Sequence, residues 1–149
     1  MNVEVQMRDV AVAKGNDNLV AQGVGSCVLI AIHDRRHRIG GMAHAVLAGI
    51  PSRGSPLSHG KYVDEAIDEL LQQMARMGAD RRELQAKLVG GANMFAAFES
   101  NLGAENVAGA RAKLKREDIP VVGECVGGSQ GRSVEFSVAT GIVTVKTKF

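Results

Sequence analysis

Tryptophan is absent from this chain and aromatic residues make up only 3% of it, while glycine accounts for 18 of the 149 residues. The core must therefore be built from Val, Ala, Leu, Ile and Met. The net charge is also small, at +2 from 18 basic and 16 acidic residues, and indicates neither a nucleic-acid partner nor a membrane surface. One basic cluster falls at the end of a predicted helix, where cations complement the helix dipole: Arg111, Lys113, Lys115 and Arg116.

Cysteine is scarce as well, with two residues, and no apolar run approaches the length needed to cross a membrane. Residues 1–6 lack the basic and apolar regions of a secretory signal. We therefore expect a cytoplasmic protein with reduced thiols and no membrane insertion. With 149 residues, one domain spanning 1–149 is large enough to bury a core without a disulfide or a metal.

Apolar alternation between turn signals predicts strands in the first third and the last third of the chain. The predicted strands are 10–14, 19–22, 28–32, 39–47, 84–89, 119–126, 134–138 and 142–146. Apolar residues at helical spacing predict helices at 61–77 and 103–116, and 48–60 is predicted to be a loop. This order favours an α+β fold in which mixed β-sheets pack as a sandwich with two main helices on one side. The strand 28–32 is apolar throughout, which predicts a central position in its sheet.

A glycine-rich turn precedes that central strand, in residues 23–28, Gly-Val-Gly-Ser-Cys-Val. A nucleophilic thiol needs a nearby base or a cluster of backbone N–H groups to form its thiolate. The turn glycines allow the amides near Ser26 and Cys27 to converge on a developing oxyanion. Cys27 is therefore a candidate nucleophile, with Gly25 and Ser26 supporting the turn, and its alternative role is that of a small buried hydrophobic residue.

His44 is the candidate base, because it lies on the next predicted strand, which can return antiparallel beside the strand that follows Cys27. Met42, His44 and Val46 share one face of that strand. A Cys27–His44 pair accounts for both residues. The alternatives are that His44 is a core histidine bonded to a backbone carbonyl, or that His59 in the predicted loop is the base.

Other candidate residues are predicted to carry no chemistry. His33 and His37 have helical i, i+4 spacing, but a turn separates them and no third ligand is evident, so we expect no metal site. Cys125 lies in an apolar alternation and is expected to serve packing. The glycine pairs at 90–91 and 127–128 lack phosphate-loop spacing and are expected to permit close backbone approach around a site.

Several blocks of this sequence, taken in order, resemble the chemoreceptor glutamine deamidase family, CheD. They are 23–28, 42–44 (Met-Ala-His), 61–62 (Lys-Tyr), 87–95 and 127–128 with 132–134. The resemblance implies a layered α/β fold shared with cysteine-dependent deamidating toxins. It also implies a cytoplasmic hydrolase, without a cofactor, that converts glutamine side chains of methyl-accepting chemotaxis receptors to glutamate and releases ammonia through a Cys-His thioester mechanism. A CheC-type chemotaxis phosphatase is the implied partner.

Carried onto this chain, the resemblance makes Cys27 the nucleophile and His44 the base. The chain departs from the family at Ala21, where a threonine often orients the imidazole. A backbone carbonyl, Gln22 or Ser26 would have to take that role here. Two alternatives stay open: a CheD-like module that binds a phosphatase or a receptor helix without catalysis, and a thiol hydrolase for another amide or ester, receptor methyl esters included.

Overall fold

The computed structural model describes residues 1–48, 60–94 and 101–148. Within those ranges the chain forms nine strands, two α-helices and a short 3-10 helix at Arg81–Glu83. The elements are β1 Asn2–Glu4, β2 Val10–Lys14, β3 Asn18–Val24, β4 Val28–Asp34, β5 Ile39–Ala45, α1 Val63–Arg76, β6 Leu84–Gly90, α2 Leu102–Arg116, β7 Val121–Val126, β8 Gly131–Ser137 and β9 Val143–Lys148. The predicted helices and the eight predicted strands are confirmed. Strand β1 was not predicted, because three residues are too few to show an alternation.

The strands form two mixed sheets. One has five strands in the order β2-β5-β4-β6-β7, and the other has four in the order β1-β3-β8-β9. Strand β4 is central, as its uninterrupted apolar sequence predicted, and both of its neighbours run antiparallel to it. The turn that carries Cys27 connects β3 of the smaller sheet to β4 of the larger one. Cys27 therefore lies where the chain crosses from one sheet to the other.

The two sheets and the helices form three layers. Helices α1 and α2 cover one face of the five-stranded sheet, and the four-stranded sheet packs against the other face, so each interface has its own apolar cluster. This arrangement confirms the predicted α+β sandwich with both helices on one side. Side chains of β4 and β5 alternate between the two clusters: Ile30 and Ala43 face the helices, while Leu29 and Met42 face the second sheet.

Helix α1 packs against the five-stranded sheet through one apolar stripe. Val63, Ile67, Leu70 and Met74 recur along one side of the helix and are all fully buried. Burial of each large aliphatic side chain contributes roughly 1.5–3 kcal/mol, before the loss of side-chain entropy is subtracted. The helix ends at Arg76, and Gly78 follows two residues later with a φ of +98°, the left-handed conformation that glycine adopts without strain.

The basic cluster of α2 is engaged in ion pairs. Arg111 pairs with Glu124 at 2.6 Å, and Arg116 pairs with Asp64 of α1 at 3.0 Å. These contacts are consistent with a structural role for the cluster. No helix in the described part of the chain is long and apolar enough to span a membrane.

The structure bears on two further predictions, those for Cys125 and for the loop at 48–60. The packing role predicted for Cys125 is wrong, because its side chain is exposed. Its strand, β7, is the edge strand of the larger sheet, where apolar alternation does not ensure burial. Most of the predicted loop at 48–60, including His59, lies outside the described residues, so His59 stays a prediction.

Candidate active site

The turn that carries Cys27 is held by hydrogen bonds to three consecutive carbonyl groups, those of residues 25–27. The carbonyl of Gly25 accepts from the amide of Ala92 at 2.9 Å, and that of Cys27 accepts from the amide of Gly91 at 2.8 Å. The carbonyl of Ser26 accepts from the side-chain Nδ2 of Asn106, also at 2.9 Å. The turn is thus fixed by groups that lie about 65 to 80 residues further along the chain.

The same arrangement leaves backbone donors beside the sulfur atom. Among the described residues, the backbone N–H of Ser26 has no hydrogen-bond acceptor. The backbone N–H of Cys27 has none outside its own residue. Because a trans peptide places its N–H opposite its C=O, bonding the carbonyls of Gly25 and Ser26 turns the two following N–H groups the other way. The N–H groups of Ser26 and Cys27 are therefore candidate donors to an oxyanion.

Gly90 allows the close approach that the turn requires. It ends β6 with a φ of +112°, and a Cβ placed there would lie 2.3 Å from the carbonyl oxygen of Cys27. Any larger residue would push the turn away from β6, so the close backbone approach predicted for the glycine pair at 90–91 is confirmed. The same prediction for the pair at 127–128 is wrong, because a Cβ on either glycine would meet no backbone atom within 4 Å.

Strand pairing places His44 beside the start of β4, next to the turn that carries Cys27. His44 of β5 lies directly opposite Leu29 of β4, and Cys27 is two residues before Leu29. Cys27 itself lies in the bend one residue before β4, and extending the strand register by that residue makes it a diagonal neighbour of His44, a relationship that in a sheet corresponds to roughly 7–8 Å between backbones. Both side chains are buried, with 5% exposed for Cys27 and 1% for His44. The His44 Nε2 atom makes no hydrogen bond to the thiol.

The imidazole of His44 is oriented by a backbone carbonyl. Its Nδ1 atom lies 3.4 Å from the carbonyl oxygen of Val5. A carbonyl only accepts hydrogen bonds, so Nδ1 carries the proton and Nε2 of the neutral ring carries the lone pair. Nε2 is buried and has no partner among the described residues. This is the tautomer that a general base needs.

The carbonyl of Val5 therefore orients the imidazole of His44, a role for which the sequence suggested a backbone carbonyl, Gln22 or Ser26. Ala21 is fully buried in β3 and its methyl group has no hydrogen-bonding capacity. Gln22 is exposed and faces the opposite side of β3 from Ala21, so its selection as an orienting group is corrected by the structure. Ser26 is held through its carbonyl group by Asn106. Val5 lies 39 residues before His44, so no local sequence pattern predicts the contact between its carbonyl and the imidazole.

Burial sets the protonation states of the two candidate catalytic groups. It raises the pKa of the Cys27 thiol, and the backbone N–H of Cys27 opposes this in part. Burial also lowers the pKa of His44, against smaller opposing effects of the Val5 carbonyl and Asp9. The resting pair is therefore a neutral thiol and a neutral imidazole near pH 7, a state in which His44 can accept the proton of Cys27 during attack.

A buried cation that the sequence reasoning missed lies at the same end of the sandwich. Arg132 of β8 is 8% exposed, and its guanidinium donates to the carbonyls of Gly127 at 2.8 Å and Gly90 at 3.4 Å. No carboxylate in the ranges 1–48, 60–94 and 101–148 pairs with it. The carbonyl of Gly90 and the N–H of Gly91 belong to one peptide, so Arg132 and Cys27 are bonded to opposite sides of that peptide.

The other two histidines in the described ranges, His33 and His37, have separate partners. His33 Nε2 lies 2.7 Å from the carbonyl oxygen of Val138, and His37 Nδ1 lies 2.8 Å from a carboxylate oxygen of Asp34. The described residues contain no group of three metal-ligating side chains. A cleft of about 290 Å³, lined in part by His33 and Lys87, opens between the sheets at the end of β4 opposite Cys27. The cleft is thus separate from the candidate site.

Comparisons with known proteins identify similar sequences and one solved structure. The family model described as CheD chemotactic sensory transduction matches residues 50–147. A Thermococcus kodakarensis protein named probable chemoreceptor glutamine deamidase CheD is 40% identical, with 98% of this chain and 92% of that protein covered. The Thermotoga maritima protein named chemoreceptor glutamine deamidase CheD is 36% identical over the same shares. A Neisseria meningitidis protein of known structure aligns over 86% of this chain and 62% of its own, with 17% identity and a TM-score of 0.48.

Proposed function

This chain belongs to the CheD family, and we propose that it deamidates glutamine side chains of chemoreceptors, with Cys27 as nucleophile and His44 as base. One observation supports this proposal most directly. The imidazole of His44 bonds through Nδ1 to a carbonyl and keeps Nε2 unpartnered, on a strand that pairs with the strand directly following Cys27. A core histidine without a catalytic role would be expected to satisfy both ring nitrogens.

In the first half of the proposed reaction, Nε2 of His44 takes the proton of the Cys27 thiol as the sulfur attacks the side-chain carbonyl carbon of glutamine. The carbonyl oxygen becomes an oxyanion, which the N–H groups of Ser26 and Cys27 stabilise. The imidazolium then donates its proton to the amide nitrogen, and ammonia leaves. The product of this half is a thioester between Cys27 and the glutamyl side chain.

In the second half, neutral His44 takes a proton from water, and the resulting hydroxide attacks the thioester carbon. The tetrahedral intermediate uses the same two N–H groups, and its collapse breaks the carbon–sulfur bond. The imidazolium returns its proton to the sulfur of Cys27. The substrate leaves as glutamate, and the chemistry requires no redox or group-transfer cofactor.

The proposal is tested with a receptor cytoplasmic fragment as substrate. After incubation, mass spectrometry locates each glutamine that gains about 1 Da on conversion to glutamate. We expect conversion by the wild-type chain and by Cys125→Ser, and none by Cys27→Ser or His44→Gln. The Cys125 variant is the matched control because it removes the other thiol, which lies exposed on β7. Equal conversion by wild type and Cys27→Ser would refute the enzymatic role.

A second candidate function is a binding module that sequesters a chemotaxis phosphatase or a receptor helix without catalysis. The observation in its favour is the replacement of a threonine hydroxyl by Ala21, which leaves His44 with one long hydrogen bond of 3.4 Å. This candidate predicts that no receptor glutamine changes while a complex still forms. Activity on another amide or ester would instead appear as acylation of Cys27 without glutamate formation on receptors.

The cellular setting is proposed on the same basis. A CheC-type phosphatase is the proposed protein partner, and the cytoplasm is the proposed location, because the cytoplasmic part of a chemoreceptor is the substrate in this scheme. Size-exclusion chromatography of the chain with a CheC-type protein tests the partner. A complex that forms equally with Cys27→Ser would separate binding from catalysis.

A further inference from the structure

Asn106 is a polar residue at a position where helix α2 would otherwise present an apolar side chain. It lies in the second turn of the helix and is fully buried, beside Val107 and one turn before Ala110. Asparagine is also a weaker helix former than alanine or leucine. Asn106 therefore stabilises neither the helix itself nor its packing in the apolar cluster on this face.

The side-chain amide of Asn106 joins two segments of the candidate site. Its Nδ2 atom donates to the carbonyl of Ser26 at 2.9 Å and to that of Val46 at 2.8 Å. Both amide hydrogens are thus used, and the Oδ1 atom is buried without a partner in the described part of the chain. The opposite orientation of the amide would place Oδ1 against two carbonyl oxygens, so electrostatics fixes the orientation that is seen.

A buried oxygen without a hydrogen-bond partner destabilises the folded chain. Leucine has a similar volume, would avoid that cost and would favour the helix. Asn106 therefore reduces stability relative to an apolar residue unless its two hydrogen bonds compensate. What these bonds give the molecule is a fixed orientation of the chain beside Cys27.

The carbonyl that Asn106 binds belongs to the peptide that joins Ser26 to Cys27. Because that peptide is planar and trans, fixing its C=O toward Asn106 fixes the N–H of Cys27 in the opposite direction. That N–H is one of the two donors assigned to the oxyanion. The second bond, to Val46, holds the amide of Asn106 itself against the end of β5.

We propose that Asn106 is a positioning residue which sets the orientation of the Ser26–Cys27 peptide, so that the Cys27 N–H is directed at the oxyanion before substrate binds. The inference rests on the proposed function for its substrate but concerns the chemistry of Cys27 with any acyl group. Asn106 acts on the transition state through this peptide and does not itself touch the reacting atoms. Its loss is therefore expected to lower the rate of acyl transfer more than it weakens substrate binding.

Two reagents separate this role from a purely structural one. Acylation of Cys27 by p-nitrophenyl acetate passes through an oxyanion, whereas alkylation by iodoacetamide does not. In a Cys125→Ser background, where Cys27 is the remaining thiol, we expect Asn106→Leu to slow acylation by about 10- to 100-fold. Alkylation of the same variant should change less than threefold. Release of nitrophenolate and mass spectrometry of the modified thiol measure the two rates.

Leu114→Ala is the matched control, because Leu114 is a fully buried residue of the same helix without a bond to the turn. It should lower the midpoint of thermal unfolding, because it leaves a cavity in the core, and leave the ratio of the two rates unchanged. Asn106→Ala and Asn106→Ser report the same ratio if the leucine variant does not fold. Equal changes in both rates, or no change in either, would overturn the proposal.

The outcome is independent of the receptor assay. If no receptor glutamine is converted by the wild-type chain, the proposed function fails while the acylation ratio still reports on Asn106. If receptor glutamines are converted, Asn106→Leu should lower kcat by a similar factor and leave KM within about threefold.

Discussion

Nδ1 of His44 lies 3.4 Å from the carbonyl oxygen of Val5, so a backbone carbonyl orients the imidazole where the family resemblance predicts a threonine side chain. In the family that this chain resembles, a threonine commonly occupies the position of Ala21. A carbonyl only accepts hydrogen bonds and so selects the tautomer in which Nε2 is free to accept a proton, whereas a hydroxyl can accept from Nδ1–H or donate to Nδ1. They differ in strength, because a contact of 3.4 Å is longer than the usual N–H···O hydrogen bond.

Ala21→Thr should therefore increase catalysis. A hydroxyl at this buried position adds a second orienting acceptor for His44, and a hydrogen bond contributes about 0.5–1.5 kcal/mol, or roughly a 2- to 10-fold rise in kcat/KM. Ala21→Val is the control, because valine has the shape of threonine without the hydroxyl. The deamidation rate of a receptor fragment measures the effect. Equal rates for the two variants would show that the orientation of His44 does not depend on position 21.

The low pKa of His44 predicts a specific dependence of stability on pH. Because its folded pKa is below the unfolded value, the unfolded chain binds more protons between the two values, and stability is lost as the pH falls from about 6.5 toward the folded pKa. The unfolding free energy from urea titrations should fall more between pH 7.5 and pH 5.5 for wild type than for His44→Gln. His33 is present in both proteins, so its own contribution cancels. Parallel pH profiles would contradict the assigned burial of a neutral His44.

The raised pKa of Cys27 predicts slow alkylation of the resting thiol. Iodoacetamide reacts with the thiolate, so in Cys125→Ser the rate should rise with pH through a midpoint above the ordinary thiol value of 9.0. Unfolded protein in urea should show the lower, ordinary midpoint. A plateau already present at pH 7 in the folded protein would mean that Cys27 rests as a thiolate paired with imidazolium.

Gly90→Ala should inactivate the protein by displacing Cys27. A methyl group at Gly90 would lie 2.3 Å from the Cys27 carbonyl oxygen, and the positive φ of +112° adds backbone strain. Gly15→Ala is the control for strain alone, because Gly15 has a φ of +80° and a Cβ there would meet no atom within 4 Å. The control should lose about 1–2 kcal/mol of stability and retain activity. Similar activity in both variants would show that the close approach of β6 to the turn is unnecessary.

Arg132→Met should reduce activity more than stability. The methionine leaves the Gly127 carbonyl without its donor, which lowers stability. It also removes a buried cation that has no acidic partner among the described residues, which raises stability, so the two effects oppose each other. We expect kcat to fall about 10-fold, because the Gly90–Gly91 peptide that holds Cys27 loses one support. Arg132→Lys should recover only part of the rate, because an ammonium group does not reproduce the fork of donors. Thermal unfolding and deamidation assays compare them. A large loss of stability with unchanged kcat would assign Arg132 to the fold alone.

Much of the architecture follows from local sequence. The apolar run from Val28 to Ile32 specifies a strand buried on both faces, and the stripe from Val63 to Met74 specifies a helix buried on one side. These patterns are local because side chains alternate every two residues in strands and recur at 3.6 residues in helices. The glycine turn before Cys27 and the position of His44 on the following antiparallel strand are local in the same sense.

The sequence by itself thus determined the elements, the pairing of the Cys27 and His44 strands, and the resemblance to one family. Only the tertiary structure decided what holds those two residues: the Val5 carbonyl, the amide of Asn106 and the guanidinium of Arg132. The physical reason is that each is a buried polar contact between segments 39 to 80 residues apart. Every residue carries a backbone carbonyl, so the sequence contains no pattern that identifies the carbonyl bonded to His44. The stacking of the layers selects it.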